Sequence, residues 1–229
     1  MRTVDLAATP LRELNAALHR LTLETNETRW RVLNPRGAHA VAVGLDAPVR
    51  VEIEGHVGYY CAGMNKHADV VINGNAGQGV AENMMSGRVH VIGDVSQAAG
   101  ATGCGGLLVV DGNASARCGI SMKGIDIVVK GSVGHMSAFM AQAGNLVVLG
   151  DAGEALGDSI YEARLYVRGS VKGLGADCIE KPLREEHKVD LRRLLDAAKL
   201  GGKVDVAEFK RYGSARGLYH FHIDNLGSY

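Results

Sequence analysis

The chain has 229 residues, and its 25 basic residues balance 25 acidic ones, so its formal net charge at neutral pH is zero. This balance argues against a general nucleic-acid binder, which needs a basic surface, and no apolar run is long enough to span a bilayer. The N-terminus lacks the apolar core of a signal peptide and the four cysteines form no close pair, so we expect reduced thiols in the cytoplasm.

The first predicted element is an amphipathic helix over residues 9–21. Thr9 is a plausible N-cap, and Pro10 suits the first helical position because its missing N–H would be unpaired there anyway. One face of this helix is apolar, and it carries Leu11, Leu14, Leu18 and Leu21. A helix of this kind can cover the open end of a stack of repeats.

A strict repeat follows, because a glycine recurs every nineteen residues. These marker glycines are Gly55, Gly74, Gly93, Gly112, Gly131, Gly150 and Gly169. A run rich in β-branched residues precedes each one, such as Val70-Val71-Ile72 before Gly74. A fixed period of about twenty residues indicates stacked coils rather than an ordinary globular fold.

Two further columns keep the same period. Two residues after the markers stand Val57, Ala76, Val95, Ala114, Val133, Ala152 and Val171. Seven residues after them stand only small residues, namely Ala62, Ala81, Gly100, Gly119, Ala138, Gly157 and Ala176. We interpret the small column as an interior position where coils stack tightly, and the marker glycines as corners that need a positive φ or a close backbone approach.

The sequence therefore predicts an all-β core, a single-stranded right-handed parallel β-helix of about seven 19-residue coils with flanking helices. We expect two or three short strands in each coil. The predicted organisation is an N-terminal helix and capping segment over 1–45, the β-helix over 46–181, and a C-terminal helical and aromatic tail over 182–229.

The C-terminal segment predicts two helices. Asp190 can cap one that runs to Leu200 and stops at the following glycines. Asp205 and Glu208 are spaced as a capping box, which predicts a short helix that ends near Gly213.

Aromatic residues are concentrated at the C-terminal end. Five of the eleven lie there, namely Phe209, Tyr212, Tyr219, Phe221 and Tyr229. They can pack against the side of the β-helix or anchor a partner protein, because aromatic side chains are favoured at interfaces. The sequence leaves both alternatives open, and these five residues are the candidate docking residues.

The sequence assigns no catalytic, cofactor-binding or metal site. The sequence contains neither of the phosphate-binding patterns G-x-x-x-x-G-K-[ST] and G-x-G-x-x-G, and its glycine-rich stretches at Gly77-Gln-Gly79 and Gly103-Cys-Gly105-Gly106 do not lie between a strand and a helix. Cys61 and Cys118 occupy equivalent places three coils apart, about 14 Å at the usual strand spacing, which is too far to share a metal or a disulfide. His220 and His222 would share one face of an extended segment, but no third metal ligand is obvious.

Polar residues on the coils are interpreted as structural. Glu52 and Glu54 share one strand face, which is typical of a solvated or partner-facing surface. His56, His67 and His135 lie in or near corners as satisfied polar residues. Three asparagines could stack between neighbouring coils without forming a continuous column, and these are Asn73, Asn75 and Asn83.

The corner pattern resembles a known family, the GXGXG β-helix domains found in the large chain of glutamate synthase and in the β-helix chain of formylmethanofuran dehydrogenase. The match is carried by four G-x-x-G corners, namely Gly55-His-Val-Gly58, Gly74-Asn-Ala-Gly77, Gly131-Ser-Val-Gly134 and Gly150-Asp-Ala-Gly153. In other coils Ser96, Ser115 and Lys172 replace the second glycine. The flanks, including Asn34-Pro-Arg-Gly37, are similar to those of the free-standing β-helix subunit of N-methylglutamate synthase.

This resemblance implies a noncatalytic subunit of an enzyme complex. One implied partner is a class II glutamine-amidotransferase-like subunit, and the other is a glutamate-synthase-like subunit that carries FMN and an iron–sulfur cluster. The implied reaction converts methylamine and glutamate to N-methylglutamate and ammonia. No catalytic residue of the family is carried over to this chain, and no cofactor is expected on it.

The sequence leaves two alternatives open. The chain could be the β-helix subunit of a complex like formylmethanofuran dehydrogenase or formyltransferase/hydrolase. It could also be a self-sufficient β-helix enzyme, but that would need a line of acids or aromatics along one face. The position four after the markers carries a single acid, because it reads Tyr59, Gln78, Gln97, Ala116, His135, Glu154 and Gly173.

Overall fold

The computed structural model describes residues 1–217, and in this range it is a β-solenoid built around one eleven-stranded sheet. The strands are β1 (Arg2–Asp5), β2 (Arg29–Leu33), β3 (Arg50–Glu54), β4 (Asp69–Ile72), β5 (Arg88–Val91), β6 (Leu107–Val110), β7 (Lys123–Val129), β8 (Ala143–Val148), β9 (Arg164–Val167), β10 (Cys178–Lys181) and β11 (Lys210–Ser214). The helices are α1 (Leu11–His19) and α2 (Glu185–Ala197), with a 3₁₀ helix at Val206–Glu208.

Strands β1 to β9 are parallel and lie in chain order, which is the arrangement that a stack of coils produces. From β3 to β9 the register advances by the repeat length, so Val51 pairs with Val70 and Val70 with Val89. These three side chains have no exposed area and belong to one interior column of β-branched and leucine residues. The predicted all-β core is confirmed.

The sequence predicts two or three short strands in each coil, but the coils from β3 to β9 each contain one strand, and the rest of each coil consists of a single bridge and turns. The column two after the markers forms only single parallel bridges, from Val57 to Val171. Between this bridge and the next strand the backbone runs through turns, and in the six coils that begin at Gly55 to Gly150 the residues five, seven and nine after the marker take positive φ. In the first full coil these are Tyr60, Ala62 and Met64.

This alternation explains the small column better than tight stacking alone. Ala62, Ala81 and Ala138 have φ of 53°, 56° and 58°, in the left-handed region where a Cβ is costly. Space is limited as well, since a Cβ at Gly100 would lie 2.6 Å from Cδ1 of Ile127. Small side chains therefore meet a backbone requirement and a packing requirement at the same position.

Helix α1 covers the first coil. It is shorter than predicted and is preceded by Pro10 rather than Thr9 as the N-cap, with no side-chain cap. Leu14 and Leu18 pack into the core. The amide of Asn15 donates to the Ala40 carbonyl (2.9 Å) and accepts from the Ala42 N–H (3.1 Å). This helix thus pairs backbone groups of the coil as a neighbouring strand would.

The C-terminal elements correct two predictions. Helix α2 begins at Glu185, and Asp190 lies inside it, where its carboxylate binds Arg164 on β9 at 2.7 Å. Asp205 caps the 3₁₀ helix as expected, since it accepts from the Ala207 N–H at 2.9 Å. The predicted helix towards Gly213 is wrong, because this segment is β11, antiparallel to both β9 and β10.

Helix α2 lies on the outer face of the sheet and forms a second apolar cluster. Its Leu191 and Leu194 pack with Val128, Val147 and Tyr166 from the outward positions of the strands. The sheet runs across both predicted domain boundaries, since β2 pairs with β3 and β11 pairs with β9. No helix of residues 1–217 has the length and hydrophobicity that a membrane crossing requires.

Candidate functional site

Three of the four thiols are buried and are not poised for reaction. Cys61 and Cys118 have no exposed area, and Cys178 is also buried. Burial raises the pKa of Cys118 and of Cys178 to about 12, and it raises the pKa of Cys61 as well. A thiol is nucleophilic as the thiolate, so these three side chains are packing groups. Cys104 is exposed.

Among residues 1–217, no three histidine, cysteine, aspartate or glutamate side chains come together as a metal-binding group. His56 is the satisfied corner residue that the sequence predicted, since its Nδ1 accepts from the Asn75 N–H at 2.9 Å. His67 lies 3.7 Å from the carboxylate of Asp46. His220 and His222 lie outside the described residues.

The acidic strand face is a network of ion pairs that crosses coils. Glu52 accepts from Arg50 at 2.7 Å, and Glu54 binds Arg31 of the neighbouring strand at 2.9 Å. Arg50 also binds Asp69 one coil further on. The hydrogen bond from Arg50 lowers the pKa of Glu52. These side chains are partly exposed, so solvent screens the ion pairs of this network on the surface of the sheet.

A cavity of about 360 Å³ lies where this face meets the end of α2. It is lined by Arg50, Asp69, Val71, Arg88, His90, Ile92 and Lys199. Its charged groups are largely engaged, because Arg50 binds Asp69 and Arg88 donates to the Ala197 carbonyl at 2.8 Å. Arg88 therefore stabilises the carbonyl end of α2, where the helix dipole favours a cation.

One constellation that sequence reasoning missed is His90–Asp111–Lys130 on the outer face. Asp111 lies 2.8 Å from Nε2 of His90 and 2.7 Å from Nζ of Lys130. Burial favours a higher pKa for Asp111, but the bonds from Lys130 and His90 outweigh it and lower the pKa. The pairing resembles the base and orienting acid of a triad, but Lys130 contacts the acid rather than the imidazole, so it does not occupy the place of a nucleophile.

A second missed feature is a continuous ladder of side chains at the corners. It occupies the position directly after each marker glycine, and its members are His56, Asn75, Asp94, Asn113, Ser132, Asp151 and Ser170. Each of the first six accepts from the backbone N–H of the next, at 2.7–3.0 Å. We call this column the corner ladder. Aligning the sequence at the repeat would have revealed it, because every member can accept a hydrogen bond.

The candidate docking residues divide into two groups. Phe209 and Tyr212 are buried against this chain's own strands, so for them the structure selects packing over partner contact. Tyr219, Phe221 and Tyr229 lie outside the described residues. We call the run of turns between the single bridge and the next strand the turn side of the coils. It carries exposed apolar side chains that no sequence pattern indicated, including Met64, Met85 and Met140.

Comparison with known proteins shows a relative that matches over the full length. The chain is 64% identical over 229 residues to Protein GlxC of Rhizobium meliloti (strain 1021), and the match covers all of both chains. No family model matches the sequence. No solved structure matches it either.

Proposed function

The chain belongs to the family of Protein GlxC, and from its architecture we propose that it is a noncatalytic bracing subunit of a glutamate-synthase-like enzyme complex. The observation that carries the proposal is the regular parallel pairing of the coils from β3 to β9, which keeps the nineteen-residue register except for one irregularity between Lys123 and Asp126 at the start of β7. Strand pairs, single bridges and the corner ladder all connect successive coils. A stack joined along three lines is stiff, and a stiff spacer can fix the distance between two active sites.

The coil chemistry supports the glutamate-synthase-like part of the proposal. The G-x-x-G corners are explained by close contact between coils, since a Cβ at Gly77 would lie 2.5 Å from the Gly58 carbonyl carbon. This pattern is what resembles the GXGXG domains. We extend the resemblance to the partners, a class II amidotransferase-like subunit and a subunit that carries FMN and an iron–sulfur cluster. The reaction proposed for the whole complex forms N-methylglutamate from methylamine and glutamate.

The packed interior of the β-helix indicates which route ammonia or methylamine would take between the two partner sites. The interior columns of the coils, including Val70, Val89 and Ile127, have no exposed area. Side chains at native packing density leave no room for a continuous passage. We therefore propose that this subunit aligns the two partner sites and that transfer runs beside the β-helix rather than along its axis.

The test is a native purification through a tag on this chain, followed by mass spectrometry and a visible absorption spectrum. We expect an amidotransferase-like subunit and a flavin, iron–sulfur subunit, and activity with glutamate plus methylamine. The same cells with the untagged chain are the control. A lone, colourless chain would contradict the bracing role. Recovery with a formyl-transferring complex would instead place the chain in a different kind of enzyme.

A further inference from the structure

The N-terminal turn of α2 is held by a buried histidine. His187 occupies the third helical position and is only 6% exposed. Its Nδ1 accepts a hydrogen bond from the backbone N–H of Arg184, the N-cap residue, at 3.1 Å. An imidazole that accepts through Nδ1 is neutral and carries its proton on Nε2. The bond therefore exists only in the unprotonated ring.

The surroundings of His187 are unfavourable to a positive charge. Three guanidinium charges lie near enough to lower its pKa, those of Arg184 at the N-cap, Arg164 on β9 and Arg211 on β11. Tyr166 of β9 is fully buried beside Arg164 and Arg211. Burial, followed by the charge of Arg211, lowers the pKa of His187.

Two carboxylates offset these cations in part. Asp190 is engaged by Arg164 at 2.7 Å, and Glu186 lies 3.9 Å from Arg184. Glu186 favours the protonated imidazole, but its influence is smaller than that of burial and of Arg211. Protonation of His187 thus adds a positive charge beside several arginines, and the nearby carboxylates are already paired with two of them.

Helix α2 covers apolar surface that water would otherwise reach. Under it lie Val128, Val147 and Tyr166, outward residues of three successive coils. Contacts away from His187 hold the rest of the helix, since Arg193 binds Asp126 at 3.2 Å and Arg88 binds the last turn. The first turns can therefore loosen while the C-terminal end stays attached.

We propose that α2 is an acid-sensitive strap, in which protonation of His187 at Nδ1 breaks its bond to Arg184 and releases the first turns of the helix from β9. The charged imidazolium then moves towards water and away from Arg164 and Arg211. The apolar surface around Tyr166 becomes accessible. This inference does not depend on the proposed function, because it concerns only how the chain holds its own helix.

The test is hydrogen exchange of the full-length chain at about pH 7.5 and about pH 5, because the lower value must lie below a histidine pKa that is itself depressed from the ordinary range. After correction for intrinsic exchange rates, we expect protection of amides in residues 188–192 to fall several-fold at the lower pH, while the amides after Arg193 keep theirs. A group whose folded pKa is depressed stabilises the closed state above its ordinary value of 6.5 and loses that contribution as the pH falls. Strands β3 to β5 should keep their protection.

Two variants make the test specific. His187→Gln keeps a hydrogen-bond acceptor at this helical position and cannot titrate, so its protection should not depend on pH. His135→Gln removes an exposed histidine elsewhere and should respond as the wild type does. NMR titration of His187 in the wild type should show protonation below the ordinary range. An unchanged wild-type helix, an equal response in His187→Gln, or simultaneous loss of protection in all strands would each overturn the proposal.

Discussion

Gly131 shows why the repeat demands glycine. A Cβ built at this residue would lie 2.7 Å from the Gly112 carbonyl oxygen and 2.9 Å from its carbonyl carbon. The backbone of Gly131 is not in the left-handed region, whereas that of Gly55, the first marker, has φ of 130°. Of the two reasons that the sequence offered for the marker glycines, close approach of neighbouring coils is the one that applies to Gly131.

We expect Gly131→Ala to lower the free energy of unfolding by about 1–3 kcal/mol, because the added methyl forces two backbones apart. For a chain of this size that corresponds to a fall in melting temperature of roughly 2–4 °C per kcal/mol. Gly173→Ala is the matched control, since its nearest neighbour would be Cα of Glu154 at 3.9 Å. Melting temperatures are measured by circular dichroism. Equal values for the two variants would show that the close contact at Gly131 does not exclude a Cβ.

The corner ladder gives a second prediction at this scale. Ser132 accepts from the Asp151 N–H at 2.9 Å through Oγ. Ser132→Ala removes that acceptor, and we expect a loss of about 1 kcal/mol, the usual net value of one hydrogen bond. Ser132→Asn restores an acceptor of the kind found at Asn113 and should recover most of the stability. Chemical denaturation distinguishes the variants, and an alanine variant as stable as wild type would mean that water replaces the ladder bond without cost.

At the scale of elements, α1 acts as a substitute strand at the first coil. Asn15→Ala removes two bonds to the coil backbone, and we expect it to cost about 1–3 kcal/mol because a buried N–H at Ala42 loses its partner. The amide of Ala42 should also exchange faster with solvent. Arg12→Ala, at an exposed position of the same helix, is the control. Unchanged exchange at Ala42 in the Asn15 variant would contradict the capping role.

The errors of sequence-based prediction at this scale have physical causes. Asp190 has the residue type of an N-cap, but its partner Arg164 lies 26 residues away in sequence, and that contact cannot be read locally. Strand β11 forms because it pairs with β9 and β10. Both strands lie far from it in the chain, so the local sequence does not reveal the pairing. The Asp205 cap was predicted correctly because all its atoms lie within three residues.

The turn side of the coils shows a different limit of sequence-based prediction, which is that one residue pattern fits two structures. A column of alanine and glycine is compatible with a crowded interior strand and with a left-handed backbone, and the sequence alone does not separate them. Tyr60, Arg117 and Met136 also take positive φ, although their side chains are bulky. Their conformation is imposed by hydrogen bonds to the neighbouring coil, such as the Arg117 N–H to the His135 carbonyl at 2.9 Å.

At the scale of the whole molecule, the repeat determines what could be predicted. Strand pairs from β3 to β9 recur at a separation of nineteen residues apart from one irregularity at the start of β7, so the glycine period was sufficient to predict the stack and its parallel sheet. The corner ladder follows the same period, but its residue types vary from coil to coil and share only the capacity to accept a hydrogen bond, which hides the column from a search for identical residues. Helix α2 and β11 return to the stack from outside the repeat, so the period carried no information about their placement.

Two truncations separate folding of the C-terminal segment from its proposed docking role. A chain that ends at Val204 loses β11 and two buried aromatic side chains, Phe209 and Tyr212. Because removal of a buried aromatic side chain typically costs about 3–5 kcal/mol, we expect a clear fall in melting temperature. A chain that ends at Gly217 keeps β11 and both of these aromatic side chains, so it should avoid this loss and melt well above the chain that ends at Val204.

The chain that ends at Gly217 lacks Tyr219, Phe221 and Tyr229, the remaining candidate docking residues. If these aromatics anchor a partner, this chain should stay folded and yet recover less of the partner subunits through its tag, since aromatic anchors dominate many interfaces. Quantitative mass spectrometry of the tagged purification measures this ratio, and the full-length chain is the reference. Full recovery of partners by the shortened chain would reject the docking role and direct attention to the exposed methionines of the turn side, which could be tested next by Met64→Ser and Met140→Ser.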